Sequence, residues 1–130
     1  MQITKQYRIK HPAEKLFNAW ISPHSIITPV SRIEVDPKEG GYYRLYVDSA
    51  DGTSVMNGEF STFQPYEKLV YSWEWDKSGE KTIISVNFTS SGEQTIIDLT
   101  HSGFQSETSF KMHDSGWDSY IEGIKKILGE

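Results

Sequence analysis

The residues of this chain that could move a proton or hold a metal ion are few and scattered. His11, His24, His101 and His113 are the histidines, and no pair has the tight helical spacing of a zinc site. There is no cysteine, which excludes thiolate ligation, a thiol nucleophile and a disulfide framework. No serine lies in a Gly-x-Ser-x-Gly elbow, and Gly40-Gly41 reads as a turn rather than a phosphate loop. Glu74 and Asp98 fall on the polar side of their strands by parity, which suits them poorly to acid–base work in an interior. That leaves His101, His113 and the hydroxyls of Tyr43 and Tyr71 as polar groups that could face an apolar enclosure. No metal, cofactor or catalytic set is expected. A cyclase or hydrolase would have to use one of these histidines, a tyrosine or bound water. The alternative for each histidine is a core or rim residue satisfied by a backbone partner.

The elements that must position these groups follow from periodicity. Ile3 to Lys10 reads as a strand. Pro12 opens a helix whose Ala13, Leu16, Phe17 and Trp20 share one apolar face. Ser22-Pro23 repeats the start signal, so a second short helix is expected from there to Pro29. Period-two segments then run over 32–36, 42–48, 53–64, 68–75, 81–89 and 94–101, separated by turn residues. Gly58 inside the longest of them predicts a bulge, a bend or a close backbone approach. Beyond Ser106, a helix cap, the spacing becomes helical: Phe110, His113, Trp117, Ile121, Ile124 and Leu128 share a face, flanked by Tyr120 and Ile127. Such a helix is about 35 Å long at about 1.5 Å per residue and crosses a whole sheet. Strands and helices are segregated, so the class is α+β: a curved antiparallel sheet of about seven strands around a long C-terminal helix, with two short helices after the first strand.

The chain's 130 residues suit a single domain spanning 1–130 with a core of its own. The net charge is -5, and no basic cluster could follow a phosphate backbone, so nucleic acid is not an expected partner. No apolar stretch is long enough to span a bilayer and none resembles a signal peptide. A cytoplasmic setting is therefore expected, and the sequon Asn87-Phe88-Thr89 carries no weight there.

Parity places Tyr43, Leu45 and Val47, then Leu69, Tyr71, Trp73 and Trp75, then Ile84, Val86 and Phe88, then Ile97, Leu99 and His101 on the covered face of the sheet. Tyr42, Tyr46, Val70 and Ile96 are the large residues of the other face, either isolated surface hydrophobes or a partner-binding patch. One helix cannot fill so wide a curved sheet, and an apolar space with few polar groups is what a small-molecule site requires. Its expected lining is Trp20, Tyr43, Leu45, Tyr71, Trp73, Val86, Phe88, Leu99, His101, Phe110, His113 and Trp117. The expected partner is a small hydrophobic or aromatic ligand. A homodimeric or chaperone-associated interaction module is the alternative. Trp117 should anchor the long helix near Trp73 or Phe88. Gly116, unfavourable in a helix interior by about 1 kcal/mol against alanine, should mark a close approach of a neighbouring element.

Several segments together carry a resemblance over nearly the whole chain. They are His11-Pro12-Ala13-Glu14-Lys15-Leu16-Phe17 with Ala19-Trp20, Gly40-Gly41, Asp51-Gly52, and Gly58 with Phe63-Gln64-Pro65 before Lys68-Leu69-Val70-Tyr71-Ser72-Trp73. Thr95 to Phe104 and Gly116-Trp117 complete the set. In this order the chain resembles the START-like, or Bet v 1-like (SRPBCC), superfamily. Within it, the chain is similar to the family named for the C-terminal domain of the activator of heat-shock protein 90 ATPase. The resemblance implies a helix-grip fold with an internal cavity, in a superfamily whose members bind lipids, sterols or polyketides and in a few cases catalyse cyclisation. It implies no single activity. Family members often carry tryptophans shortly after the second helix begins, where this chain has Ile26-Ile27-Thr28-Pro29-Val30, so the cavity mouth is expected to differ.

Overall fold

Alternation along the strands and a 3.6-residue period at the end of the chain produce one sheet gripping one long helix. A computed structural model describes residues 1–27, 29–76 and 78–129. The order is β1 (Gln2–Ile9), α1 (Ala13–Trp20), β2 (Arg32–Val35), β3 (Tyr42–Ser49), β4 (Gly52–Gln64), β5 (Lys68–Trp75), β6 (Thr82–Ser91), β7 (Gln94–Ser102) and α2 (Glu107–Ile127). The strands form a single antiparallel sheet in the order β1-β7-β6-β5-β4-β3-β2. Hairpins link β2 through β7 in sequence, while β1 pairs across the chain with β7, Ile3 opposite His101.

α1 is short and depends on its apolar face: Ala13, Leu16, Phe17, Ala19 and Trp20 are all buried. α2 is capped as its sequence requires. The Ser106 hydroxyl accepts from the Ser109 N–H, Glu107 lies in the first turn, and Lys125 and Lys126 lie in the last, each charge suited to the helix dipole. A polar clamp ties the middle of α2 to β1. Lys5 Nζ reaches both Asp114 and Asp118, and the Tyr7 hydroxyl donates to Asp118 at 2.8 Å.

Gly58 marks a close approach. A Cβ there would stand 2.3 Å from the Ser72 carbonyl oxygen. At this bend the Glu59 N–H turns to the Ser72 hydroxyl, and the β4–β5 register shifts between Phe60 and Thr62.

The second helix expected after Ser22 does not form among the described residues; Thr28 in that segment and Lys77 in the 76–80 loop lie outside them. Isolated turns stand in its place, Ser25 N–H to Ser22 O, Ile26 N–H to His24 O and Val30 N–H to Ile27 O. The cause is local. The Ser22 hydroxyl accepts from the His24 N–H and closes a side-chain turn, and Pro23 and Pro29 bracket a β-branched run.

Parity is realised along the sheet: Leu45, Leu69, Tyr71, Ile84, Val86, Phe88, Ile97, Leu99 and His101 are buried on the helix side. On the other side Arg44 lies over the Tyr42 ring and Arg32 over the Tyr46 ring, so both outward tyrosines of β3 carry a guanidinium group on one face. No described helix is long and apolar enough to cross a membrane.

Candidate functional site

α2 is not seated evenly on the sheet. Among the described elements its backbone comes close only to α1 and β1. Its buried residues, Trp117, Ile121 and Ile124, all lie in its second half. The first half stands away from β2–β5 and leaves a cavity of about 920 Å³. The far wall is β3 and β5, with Tyr43, Leu45, Val47, Tyr71, Trp73 and Trp75. α2 supplies Met112, His113, Trp117 and Tyr120, and the turn segment supplies Ser25, Ile27, Pro29 and Val30 at the mouth.

Of the residues expected to line this space, Tyr43, Leu45, Tyr71, Trp73, His113 and Trp117 do so. Trp20, Val86, Phe88, Leu99, His101 and Phe110 do not. Val86, Phe88 and Leu99 sit on β6 and β7, under α1 and the seated half of α2, and Phe88 packs edge-on to Phe17 and Trp20. Phe110 stacks edge-on against Phe104 outside the cavity lining. Val86, Phe88, Leu99 and His101 share the covered face of the sheet with the lining residues but are buried in the core beside the cavity, while Trp20 on α1 is buried and Phe110 on α2 is half-buried.

His101 is a core group. It is 0% exposed, and both ring nitrogens are committed. The Trp117 indole N–H, which can only donate, lies 3.0 Å from Nδ1. Nε2 must then carry the ring proton, and it lies 2.7 Å from the Thr82 hydroxyl, which in turn donates to the Trp73 carbonyl at 3.0 Å. Burial, and next the neighbouring His113, lower its pKa to about 3, so the ring is neutral. The partners are side chains rather than the backbone group expected from sequence. His113 is half-buried; its Nδ1–H donates to the Ser109 carbonyl one turn back, and its ring stands perpendicular to His101 at 5.1 Å.

The polar rim of the cavity lies at the start of α2. Glu80 accepts there from the Ser109 hydroxyl and the Gln105 N–H, and these bonds hold its carboxyl below the usual range. The polar floor is made of phenols. The Trp20 indole donates to the Tyr71 hydroxyl at 3.1 Å, and the Tyr43 hydroxyl reaches the Trp20 carbonyl at 3.4 Å. Burial raises Tyr43, Tyr71 and Tyr120 well above the ordinary phenol value, so all three stay protonated. No group of His, Asp and Glu able to hold a metal occurs among the described residues.

Sequence reasoning left out several lining residues. Val47 and Trp75 share parity with Leu45 and Trp73, and Tyr120 lies one turn from Trp117, so these had a signal. Ile27, Val30 and Glu80 had none, because they reach the cavity from irregular segments.

The sequence model of the family described as Activator of Hsp90 ATPase homolog 1-like protein matches residues 10–129. No match is found among curated proteins. Solved structures with similar folds include a protein from Mesorhizobium loti, 21% identical, with 99% of this chain and 97% of that one aligned at a TM-score of 0.82. An HSP90 activator from Plasmodium falciparum is 25% identical over 99% of this chain and 96% of its own, at a TM-score of 0.80. CalU16 from Micromonospora echinospora is 20% identical over 95% of this chain and 73% of its own, at 0.76.

Proposed function

The chain belongs to the Activator of Hsp90 ATPase homolog 1-like family, and from that premise we propose that it is a binding domain for a small hydrophobic or aromatic molecule, without chemistry of its own. The observation that carries this reading is the aromatic-walled cavity of about 920 Å³ under the first half of α2. Its size and its few polar groups suit a compact organic ligand. The group best placed by sequence for proton transfer, His101, has both nitrogens occupied, which speaks against a cyclase or hydrolase built on it. A cytoplasmic setting is part of the same reading.

Nile red, an uncharged fluorophore, tests it. Binding should raise dye emission and quench tryptophan fluorescence, because Trp73, Trp75 and Trp117 line the space. Gly116 also lines it, and a Cβ added there meets nothing within 4 Å, so Gly116→Phe adds a ring at the cavity wall without a clash at its base. That variant should melt normally and bind the dye at least about tenfold more weakly, a loss of about 1.4 kcal/mol. Unchanged dye affinity in Gly116→Phe would remove the cavity from the explanation.

Chaperone association is a second reading, favoured by the description of the Plasmodium relative as an HSP90 activator. It would act through the outer sheet face around Tyr42 and Tyr46 and would survive Gly116→Phe. Homodimerisation through that face is a variant of it, read by light scattering over a concentration series.

A further inference from the structure

Two donors carried by residues of the cavity wall have no acceptor among the described residues. Tyr71 is 2% exposed and lines the cavity. Its hydroxyl oxygen accepts from the Trp20 indole, and among the described residues no acceptor takes its proton. Trp73, two residues along the same face of β5, also lines the cavity. Its indole Nε1 is the one buried side-chain polar atom without a partner among the described residues. Buried donors are nearly always paired, because an unpaired one loses its bonds to water and gains none. Two such donors on one wall are the groups that an acceptor entering the cavity would satisfy.

The charge around them narrows the acceptor. Among the described residues no lysine or arginine lines the cavity, and the carboxylate there is Glu80 at the rim, already bonded by Ser109 and Gln105. A carboxylate or sulfonate ligand would be desolvated against phenols and indoles with no cation among the described lining residues to face it, which is costly. A neutral carbonyl oxygen has two lone pairs, accepts from a hydroxyl and an indole N–H, and brings no charge to bury. The rings of Trp73, Trp75, Trp117 and Tyr120 favour a flat aromatic body beside that oxygen.

We propose that Tyr71 and Trp73 are the recognition donors of the cavity, and that its ligand is an uncharged aromatic molecule held through a carbonyl oxygen. The proposal rests on the ligand-binding reading above and adds which atom of the ligand is recognised, and by what.

The test uses 6-propionyl-2-dimethylaminonaphthalene, whose emission moves to longer wavelength when its ketone accepts a hydrogen bond, beside 2-dimethylaminonaphthalene, the same ring without the ketone. The wild type should bind the ketone more tightly, with long-wavelength emission. Tyr71→Phe should weaken the ketone about two- to tenfold, the usual worth of one hydrogen bond, shift its emission to the blue, and leave the parent ring unchanged. The ratio of the two affinities matters because Tyr71→Phe also leaves the Trp20 indole unpaired, and a loosened cavity would move both probes together. Trp73→Phe should change the ratio in the same direction, and it carries the test if Tyr71→Phe does not fold. 2-Naphthoate and 2-(aminomethyl)naphthalene should bind more weakly than the ketone. An equal loss of both uncharged probes in the variants, or naphthoate or the amine bound as tightly as the ketone, overturns the proposal and leaves the cavity reading standing. Failure of both uncharged probes to bind the wild type overturns the cavity reading and the proposal with it.

Discussion

The two halves of α2 lie over the same sheet and meet different surroundings. From Trp117 onward the helix is pressed on α1 and the β1–β7 side, where Ile121 and Ile124 are almost fully buried. Before Trp117 its inward residues, Phe110 and His113, are only half-buried, and the strands below curve away from it. The apolar stripe is continuous through both halves. A stripe therefore states which face of a helix turns inward, while the curvature of the sheet and the position of α1 decide whether that face finds a core or a space. Trp117 sits at the boundary, its ring stacked on Trp20 and tilted against Trp73, its indole N–H on His101, and part of its ring in the cavity wall.

The comparison breaks most severely at that boundary. Trp117→Ala should destabilise by about 3–5 kcal/mol, the range for deleting a buried aromatic, because it also leaves Nδ1 of His101 without its donor. Chemical denaturation read by the remaining tryptophans measures this. A loss below about 1 kcal/mol would place Trp117 with the open half.

Acid probes the closed half through His101. Its folded-state pKa of about 3 lies below the ordinary value of 6.5, so between these limits the unfolded chain binds a proton that the folded chain refuses. Stability contributed by the neutral ring is complete above pH 6.5 and declines as pH falls toward 3, with a slope of at most about 1.4 kcal/mol per pH unit. Between pH 6.5 and 4.5 the loss should reach about 2 kcal/mol. Denaturation midpoints at the two pH values, compared with those of His101→Gln, isolate it from the carboxylates. An identical pH dependence in the variant would show that His101 is not the group responsible.

The smallest effects should sharpen the contrast, because the same substitution has opposite signs in the two halves. At Gly116, over the cavity, an added Cβ meets nothing within 4 Å. Gly116→Ala should therefore stabilise by up to about 1 kcal/mol through helix propensity. At Gly123, in the seated half, the Cβ would stand 2.7 Å from Cγ2 of Ile27. Gly123→Ala should lose about 1 kcal/mol, since overpacking there outweighs propensity. Thermal melts of the two variants decide the matter. A melting point for Gly123→Ala at or above that of Gly116→Ala would mean that the turn segment yields freely.

These glycines also show where the sequence was legible. The unfavourable propensity of Gly116 predicted a close neighbour, yet nothing lies within 4 Å of a Cβ there and the approach occurs at Gly123, against Ile27 of the turn segment. Strand parity and the Ser106 cap could be read because each depends on a residue and its immediate neighbours along the chain, and the tight spot at Gly58 because a glycine inside a strand signals one even when the neighbour, here Ser72, is distant in sequence. Parity could not separate Trp73 and Leu45, which line the cavity, from Phe88 and Leu99, which lie under α1 and α2; all four point the same way. The partners of His101 were hidden for a similar reason. Thr82 and Trp117 are each many residues distant, and only the closed sheet with its helix in place brings them to its two nitrogens.

The pairing of β1 with β7 also bears on the order in which the chain can assemble. Ile3 faces His101 and Gln2 faces Ser102, so as the chain is made β1 has no partner until β7 has emerged. The hairpins from β2 to β7 can zip sequentially, each closing a short loop, whereas joining β1 requires a closure that spans most of the chain. Contacts of such long sequence separation slow folding. α2, which is clamped to β1 through Lys5 and Asp118, follows β7 in the chain. Until α2 has emerged, the part of the sheet that walls the future cavity therefore has no lid, and its aromatic residues stand open to whatever apolar molecule or chain is nearby.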